Sequence, residues 1–201
     1  MKAEVCIEKK VLEFYRRIVY GSTYDKNNKN EDNIVKWCFN AAWKAMASHT
    51  LKFDNDNNKN IDTKLQEKIK ENFKNENLEI FKNWKYHLLD NNKIREMITK
   101  CYNLSCTKYF NFTYGQAQKL VNMFFKHLYT FKDELCIEDN SFNACDCPID
   151  SGILYDLYKK KNMSWSKLTE TEYDKIQDDI SEKIKQENYK NKLDYDFGAW
   201  K

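Results

Sequence analysis

Residues 116–131, QAQKLVNMFFKHLYTF, form the segment that decides the fold. Apolar residues recur along it at the i, i+3, i+4, i+7 spacing of one face of an α-helix. These residues are Ala117, Leu120, Val121, Phe124, Phe125 and Leu128. The opposite face carries Lys119, Asn122 and Lys126. The segment therefore predicts a helix that is buried along its apolar stripe.

Helical spacing extends over most of the remaining chain. It predicts further helices at about 4–20, 33–48, 62–74, 77–89, 92–102 and 151–160, and a last helix that begins after Thr169. The 201 residues include only 4 Gly and 1 Pro, whereas β-sandwiches and barrels need many turns built from such residues. We therefore predict an all-α fold, a single compact multi-helix domain over residues 1–201. An arrangement in two lobes, about 1–90 and 91–201, is the alternative.

Composition narrows the class of protein. Aromatic residues make up 15% of the chain, which is enough bulk for a core and far from a disordered composition. The net charge of +3 permits a local nucleic-acid patch but does not argue for one. The 7 cysteines are odd in number and follow no secretory segment, so we expect free thiols in a reducing compartment. With no apolar run of membrane-spanning length, we predict a cytoplasmic monomer.

Two weak metal patterns are present. Asp54, Asp56, Asn58 and Asp62 resemble the start of a calcium-binding loop, but a lysine and a leucine stand where such a loop has its glycine and glutamate. The cysteines at 136, 145 and 147 lack the well-spaced second pair that a zinc site requires. We therefore expect no metal and no cofactor.

The rare backbone residues concentrate at two predicted helix starts. Gly115 precedes the strongest helix, while Pro148 and Gly152 flank the start of the next one. Lys119 lies one turn into the first helix, where it can act as a phosphate contact or as an amine nucleophile. Asp150 stands at the N-cap position of the second helix, where backbone N–H groups keep a carboxylate ionised.

These two segments resemble the helix-hairpin-helix DNA glycosylases. The stretch 114–122, YGQAQKLVN, is similar to the hairpin of that family, which has the form Gly-x-Gly-x-Lys. The stretch 147–154, CPIDSGIL, is similar to the family's second loop, Pro-Val-Asp followed by an apolar position. Together the motifs cover about forty residues of the chain.

The resemblance implies a helix-hairpin-helix fold and a base-excision activity on a modified or damaged base, with or without lyase activity. Lys119 would attack the sugar and form a Schiff base, and Asp150 would assist it and stabilise the oxocarbenium-like transition state. DNA is the implied partner. The residues that would contact it are Gly115, Gln116, Gln118, Asn122 and Lys126.

A second function stays open. The second glycine of the family's hairpin is replaced here by Ala117. Such a departure is typical of a protein that binds without catalysis. The alternative is therefore a non-catalytic helical protein, such as a phage or bacterial defence factor, that binds nucleic acid, a nucleotide or a protein partner.

Overall fold

The helix starts are fixed by side-chain caps rather than by glycine or proline. In the computed structural model, which describes residues 9–21, 24–25, 27–46, 51, 53, 61–104, 109–159 and 163–199, the elements are α-helices joined by short loops. They are α1 Lys9–Tyr20, α2 Glu31–Ala45, α3 Thr63–Phe81, α4 Trp84–His87, α5 Asn91–Tyr102, α6 Tyr114–Tyr129, α7 Ser151–Tyr158, α8 Glu170–Glu187 and α9 Lys192–Ala199. Short 3-10 turns lie at Asp139–Ala144 and Trp165–Lys167. The predicted all-α class is confirmed.

Asn, Asp and Thr begin seven of the described helices. Their side chains each accept a hydrogen bond from a backbone N–H of the first turn, and these residues are Asn30, Asp62, Asp90, Thr113, Asp150, Thr169 and Asn191. Each cap satisfies one of the N–H groups that a helix start leaves without a partner. The capping box predicted between Thr169 and Glu172 is confirmed.

Helix α6 is the centre of the molecule. All 16 of its residues are buried, because α2, α5, α8 and the turn Trp165–Lys167 pack around it. The predicted apolar stripe lies in the core, where Phe124 meets Phe81 edge to face at 4.6 Å between ring centroids. The opposite face, with Lys119, Asn122 and Lys126, is enclosed as well.

The structure has one helix, α3, where the sequence predicted a break between two. The expected break between 74 and 77 does not occur, and α3 runs unbroken to Phe81. Asn77 lies inside this helix, fully buried, and its amide donates to the Phe73 carbonyl at 2.8 Å. That bond ties the side-chain amide to the preceding turn, and the helix continues past the asparagine. Beyond Phe81, the predicted 77–89 helix reduces to the short α4.

The C-terminal tail forms a helix that the periodicity did not predict. Tyr195 and Asp196 of α9 are buried, so the expected docking of this tail is confirmed for the described part. The tryptophan at position 200, the calcium-like residues Asp54, Asp56 and Asn58, and the first predicted turns at 4–8 lie outside the described residues. No helix within the described ranges is long and apolar enough to cross a membrane.

Candidate active site

The structure brings Lys119 and Asp150 into direct contact. Lys119 Nζ donates to Asp150 Oδ2 at 2.8 Å, although the two residues are 31 positions apart in the chain. The lysine side chain is 6% exposed and the aspartate side chain 21%. The pair therefore joins the buried face of α6 to the N-terminal end of α7, with the carboxylate nearer to the surface.

Two contacts position Asp150, one with Lys119 and one with the start of α7. Its second oxygen, Oδ1, accepts from the Ile153 N–H at 3.0 Å and so caps α7. Burial acts to raise the pKa of Asp150. The charge and hydrogen bond of Lys119, the Ile153 N–H and the charge of Lys126 outweigh burial, and they lower that pKa below its ordinary value. The carboxylate is therefore ionised at neutral pH.

Two glutamines hold the extended segment that leads to Asp150. Gln118 of α6 donates to the Ile149 carbonyl at 3.0 Å and accepts from the Ile149 N–H at 3.2 Å. From α8, Gln177 donates to the Cys147 carbonyl at 2.7 Å and accepts from the Cys147 N–H at 3.2 Å. Each side-chain amide thus pairs with both backbone groups of one residue, as a neighbouring β-strand would. We call Gln118 and Gln177 the glutamine clamp.

A second ion pair lies beside the first. Lys126 contacts Asp196 of α9, and both side chains are almost fully buried. The ammonium of Lys126 also lies 4.7 Å from the centre of the Phe197 ring. Burial raises the pKa of Asp196 above its ordinary value, against the opposing charges of Lys126 and Lys119.

His127 completes the cluster as a neutral side chain. Burial and the charges of Lys126 and Lys119 lower its pKa to about 3. Its Nδ1 shares a 3.0 Å hydrogen bond with the hydroxyl of Tyr15, which α1 supplies. Its Nε2 has no hydrogen-bond partner among the described residues. We call Lys119, Asp150, Lys126, Asp196 and His127 the charged cluster.

The start of α6 is already capped and covered within the protein. Thr113 and Gln116 form a reciprocal capping box, with the Gln116 N–H donating to Thr113 Oγ1 at 3.1 Å. The turn Trp165–Lys167 lies directly on this end of the helix, and Thr113 Oγ1 donates to the Ser166 carbonyl at 2.5 Å. A Cβ added to Gly115 would stand 2.2 Å from the Trp165 carbonyl oxygen, so this close approach requires glycine.

The predicted DNA-contacting residues therefore lie inside the fold. Gly115 and Gln116 form the covered start of α6, and Gln118 belongs to the glutamine clamp. Asn122 donates to the Tyr173 hydroxyl at 2.9 Å and to Gln118 at 3.2 Å. Lys126 belongs to the charged cluster. In this conformation none of the five presents its side chain to a DNA backbone, because each is buried.

Sequence reasoning missed Asp196 and Gln177. Asp196 lies in a tail whose aromatic residues were expected to dock, but a single aspartate there gives no sign that it faces a lysine 70 positions earlier. Gln177 lies on α8 next to Ile176, where glutamine is an ordinary helix former. Both act through partners that are distant in sequence, which local spacing does not reveal.

The described cysteines and acidic residues form no metal site. Cys38, Cys101, Cys136, Cys145 and Cys147 are free thiols, and all but Cys136 are buried. The cysteines at positions 6 and 106 lie outside the described residues. In the described part of the chain, no group of three or more His, Cys, Asp and Glu side chains is arranged to hold a metal ion.

An open groove of about 400 Å³ lies elsewhere on the molecule. Its lining comes from α4 and the loop that follows α6, including Trp84, Leu88, Leu135 and Ile137. None of its lining residues belongs to the charged cluster.

Comparison of the chain with protein-family models, with curated proteins and with solved structures finds no match. Arguments about function therefore depend on the geometry of the charged cluster.

Proposed function

We propose that this protein is a DNA base-excision glycosylase with lyase activity, in which Lys119 is the nucleophile and Asp150 its partner. The observation that carries the proposal is the 2.8 Å contact between Lys119 Nζ and Asp150 Oδ2. A lysine–aspartate mechanism requires these two side chains within hydrogen-bond reach, and the resemblance of the 114–122 and 147–154 segments implied the same two residues.

The chemistry follows from the two functional groups. The Lys119 ammonium first releases a proton to solvent. The uncharged amine then attacks C1′ of the sugar, and the C1′–N bond breaks with its electron pair leaving on the base, which takes up a proton. Loss of the amine proton and opening of the sugar ring then give the Schiff base. Asp150 Oδ2 already accepts a hydrogen bond from Lys119 Nζ, and its negative charge stabilises the positive charge that develops on the sugar.

Access to the pair is from the side of Asp150. Lys119 is 5% exposed, while Ser151 and Gly152 at the start of α7 are exposed. A nucleotide flipped out of a duplex would reach the pair past these residues. The covered start of α6 does not contribute phosphate contacts in this scheme, because the turn Trp165–Lys167 lies directly on it.

Borohydride trapping tests the proposal. Purified protein is incubated with duplexes carrying 8-oxoguanine, uracil or an abasic site, and covalent adducts are separated by electrophoresis. We expect an adduct with the wild type and none with Lys119→Gln. Lys183→Gln is the matched control, because Lys183 also pairs with an aspartate, Asp156, at 2.5 Å but lies outside the charged cluster. It should form the adduct as the wild type does.

Absence of an adduct, of strand cleavage and of released base on all three duplexes would overturn the proposal. The closed start of α6 favours a second candidate in that case. It is a non-catalytic helical protein that binds nucleic acid, a nucleotide or a protein, with the Lys119–Asp150 pair fastening α7 to α6. Binding to the same duplexes without chemistry, unchanged in Lys119→Gln, would support it.

A further inference from the structure

The groove beside α4 has an apolar floor and an apolar edge. Its floor consists of Trp84 and Leu88, which line the groove although they are only 1% and 6% exposed. Leu135 and Ile137 line it from the loop after α6, and Leu89 stands at its edge with 68% of its surface exposed. The volume of about 400 Å³ lies within the range of protein sites that bind ligands. A continuous apolar surface of this kind indicates a place that another molecule covers.

The loop wall of the groove is held in place by contacts within the protein. Arg16 of α1 donates to both carboxylate oxygens of Glu134, at 2.7 and 2.8 Å. The Ile137 N–H donates to the Lys132 carbonyl at 2.9 Å, and the Lys132 ammonium pairs with Asp139. The groove is therefore preformed, and a preformed site binds at a smaller entropic cost than one that must first become ordered.

Two polar groups of the groove have no partner in the described part of the chain. The indole Nε1 of Trp84 is buried and donates to no acceptor there. Glu138 is exposed at the rim, and its carboxylate forms no ion pair or hydrogen bond there. The other charged lining residue, Lys85, is already paired with Glu31 at 2.6 Å. A buried N–H without an acceptor is uncommon and requires an explanation. The groove thus offers one hydrogen-bond donor and one negative charge.

We propose that the groove binds a linear peptide segment of a partner protein. An apolar side chain of the segment packs on Trp84 and Leu88, a backbone carbonyl accepts from Trp84 Nε1, and a lysine or arginine lies beside Glu138. Sites for compact small molecules enclose most of the ligand surface, whereas this groove is open. An extended segment that runs across it would also cover Leu89.

This interaction goes beyond the proposed base excision and does not depend on it. No residue that lines the groove belongs to the charged cluster. The two proposals are therefore tested by different measurements on different residues.

NMR titration of the ¹⁵N-labelled full chain with acetylated heptapeptides tests the inference. Each peptide has an alanine background, a central leucine or phenylalanine, and a lysine at one of the other positions, and a second set carries glutamate in place of lysine. The 5 tryptophans report through their indole N–H signals, and the signal lost in Trp84→Phe is that of Trp84. If this variant does not fold, the signal is assigned by replacing the remaining tryptophans one at a time. We expect lysine peptides to move the Trp84 signal downfield and to bind about fivefold more tightly than the glutamate peptides.

Two exposed positions make the test specific to the groove. Glu138→Lys should reverse the preference, so that glutamate peptides bind about fivefold more tightly than lysine peptides. Leu89→Ser should weaken the binding of both sets about tenfold, because the peptide then covers less apolar surface. Glu71→Lys and Leu65→Ser are the matched controls, at exposed positions of α3 that do not line the groove, and should bind peptides as the wild type does.

The inference is overturned if no peptide of either set moves the Trp84 indole signal, or if Glu138→Lys keeps the preference of the wild type. Binding of acetyl-leucine methylamide as tightly as the heptapeptides would also overturn it, and would identify a site for a small apolar molecule. None of these results changes the expected Schiff-base trapping at Lys119, so failure here and failure of the glycosylase are distinguishable.

Discussion

Replacing Gln118 by methionine tests whether the glutamine clamp positions Asp150. Methionine has a similar volume but forms none of the three hydrogen bonds of this buried amide, two to Ile149 and one from Asn122. A neutral hydrogen bond contributes about 1 kcal/mol net, and a buried backbone group left without a partner costs more. We expect Gln118→Met to lower the free energy of unfolding by about 3 kcal/mol. For a chain of this size, that corresponds to a melting temperature lower by about 10 °C.

The assay is urea unfolding followed by circular dichroism of the helices, for Gln118→Met, Gln177→Met and the double variant. Because both glutamines hold the same segment, releasing one side weakens the other. The double variant should therefore lose less stability than the two single losses added together. Gln186→Met is the matched control, because Gln186 lies exposed on the same helix as Gln177 and should change stability by less than about 0.5 kcal/mol.

An unfolding midpoint equal to that of the wild type in Gln118→Met would refute the idea that the glutamine clamp holds the segment before Asp150. Equal losses of stability in Gln118→Met and in the exposed control would also refute it, since a general effect of methionine would then explain both. Strict additivity in the double variant would show that the two glutamines act independently and not on one segment.

Three further predictions concern the residues around α6. Gly115→Ala should destabilise the protein by about 2 kcal/mol in urea unfolding, because the new methyl group would collide with the Trp165 carbonyl; an unchanged midpoint would contradict the close contact. His127 has a pKa of about 3 in the folded protein against an ordinary 6.5, so its stability contribution is present above pH 6.5 and is lost as the pH falls towards 3. Between pH 7 and pH 4, His127→Asn should lose about 3 kcal/mol less stability than the wild type, measured by urea unfolding at pH 7, 5 and 4; equal losses in the two proteins would contradict this prediction. Asp146→Asn should lower the free energy of unfolding by about 3 kcal/mol, because the Asp146 carboxylate is fully buried between two cations. Asp174→Asn is the control and should lower it by less than about 1 kcal/mol, because Asp174 is half-exposed. Similar losses would show that burial does not decide the difference.

The sequence is informative wherever a feature depends on neighbours along the chain. The scarcity of Gly and Pro predicts the all-α class, and the capping positions Asp150 and Thr169 predict two helix starts correctly. Gly21 was expected to end α1 and does adopt a left-handed conformation, with φ +53°. These features follow from local backbone geometry, which residue type largely determines.

The surroundings of α6 depend on distant partners and could not be predicted in the same way. Helical spacing identifies an apolar stripe, but it cannot show whether the polar face meets solvent or another part of the chain. Here Asn122 meets Tyr173, and Lys126 meets Asp196, both from helices later in the chain. The Lys119–Asp150 contact is different, because the resemblance had paired these two residues before their distance was known.

Two buried aspartates, Asp146 and Asp196, differ in how completely they are hydrogen-bonded. Asp146 is fully buried, but each of its oxygens accepts from a cationic or hydroxyl donor, so its hydrogen bonding is complete. In the charged cluster, Asp196 Oδ1 and His127 Nε2 have no hydrogen-bond partner among the described residues. Buried polar atoms without partners are uncommon in folded proteins and call for a specific explanation. The described part of the chain holds other such atoms, among them Asn77 Oδ1 and Trp84 Nε1, so what sets the charged cluster apart is that its unpartnered atoms accompany a buried lysine–aspartate pair.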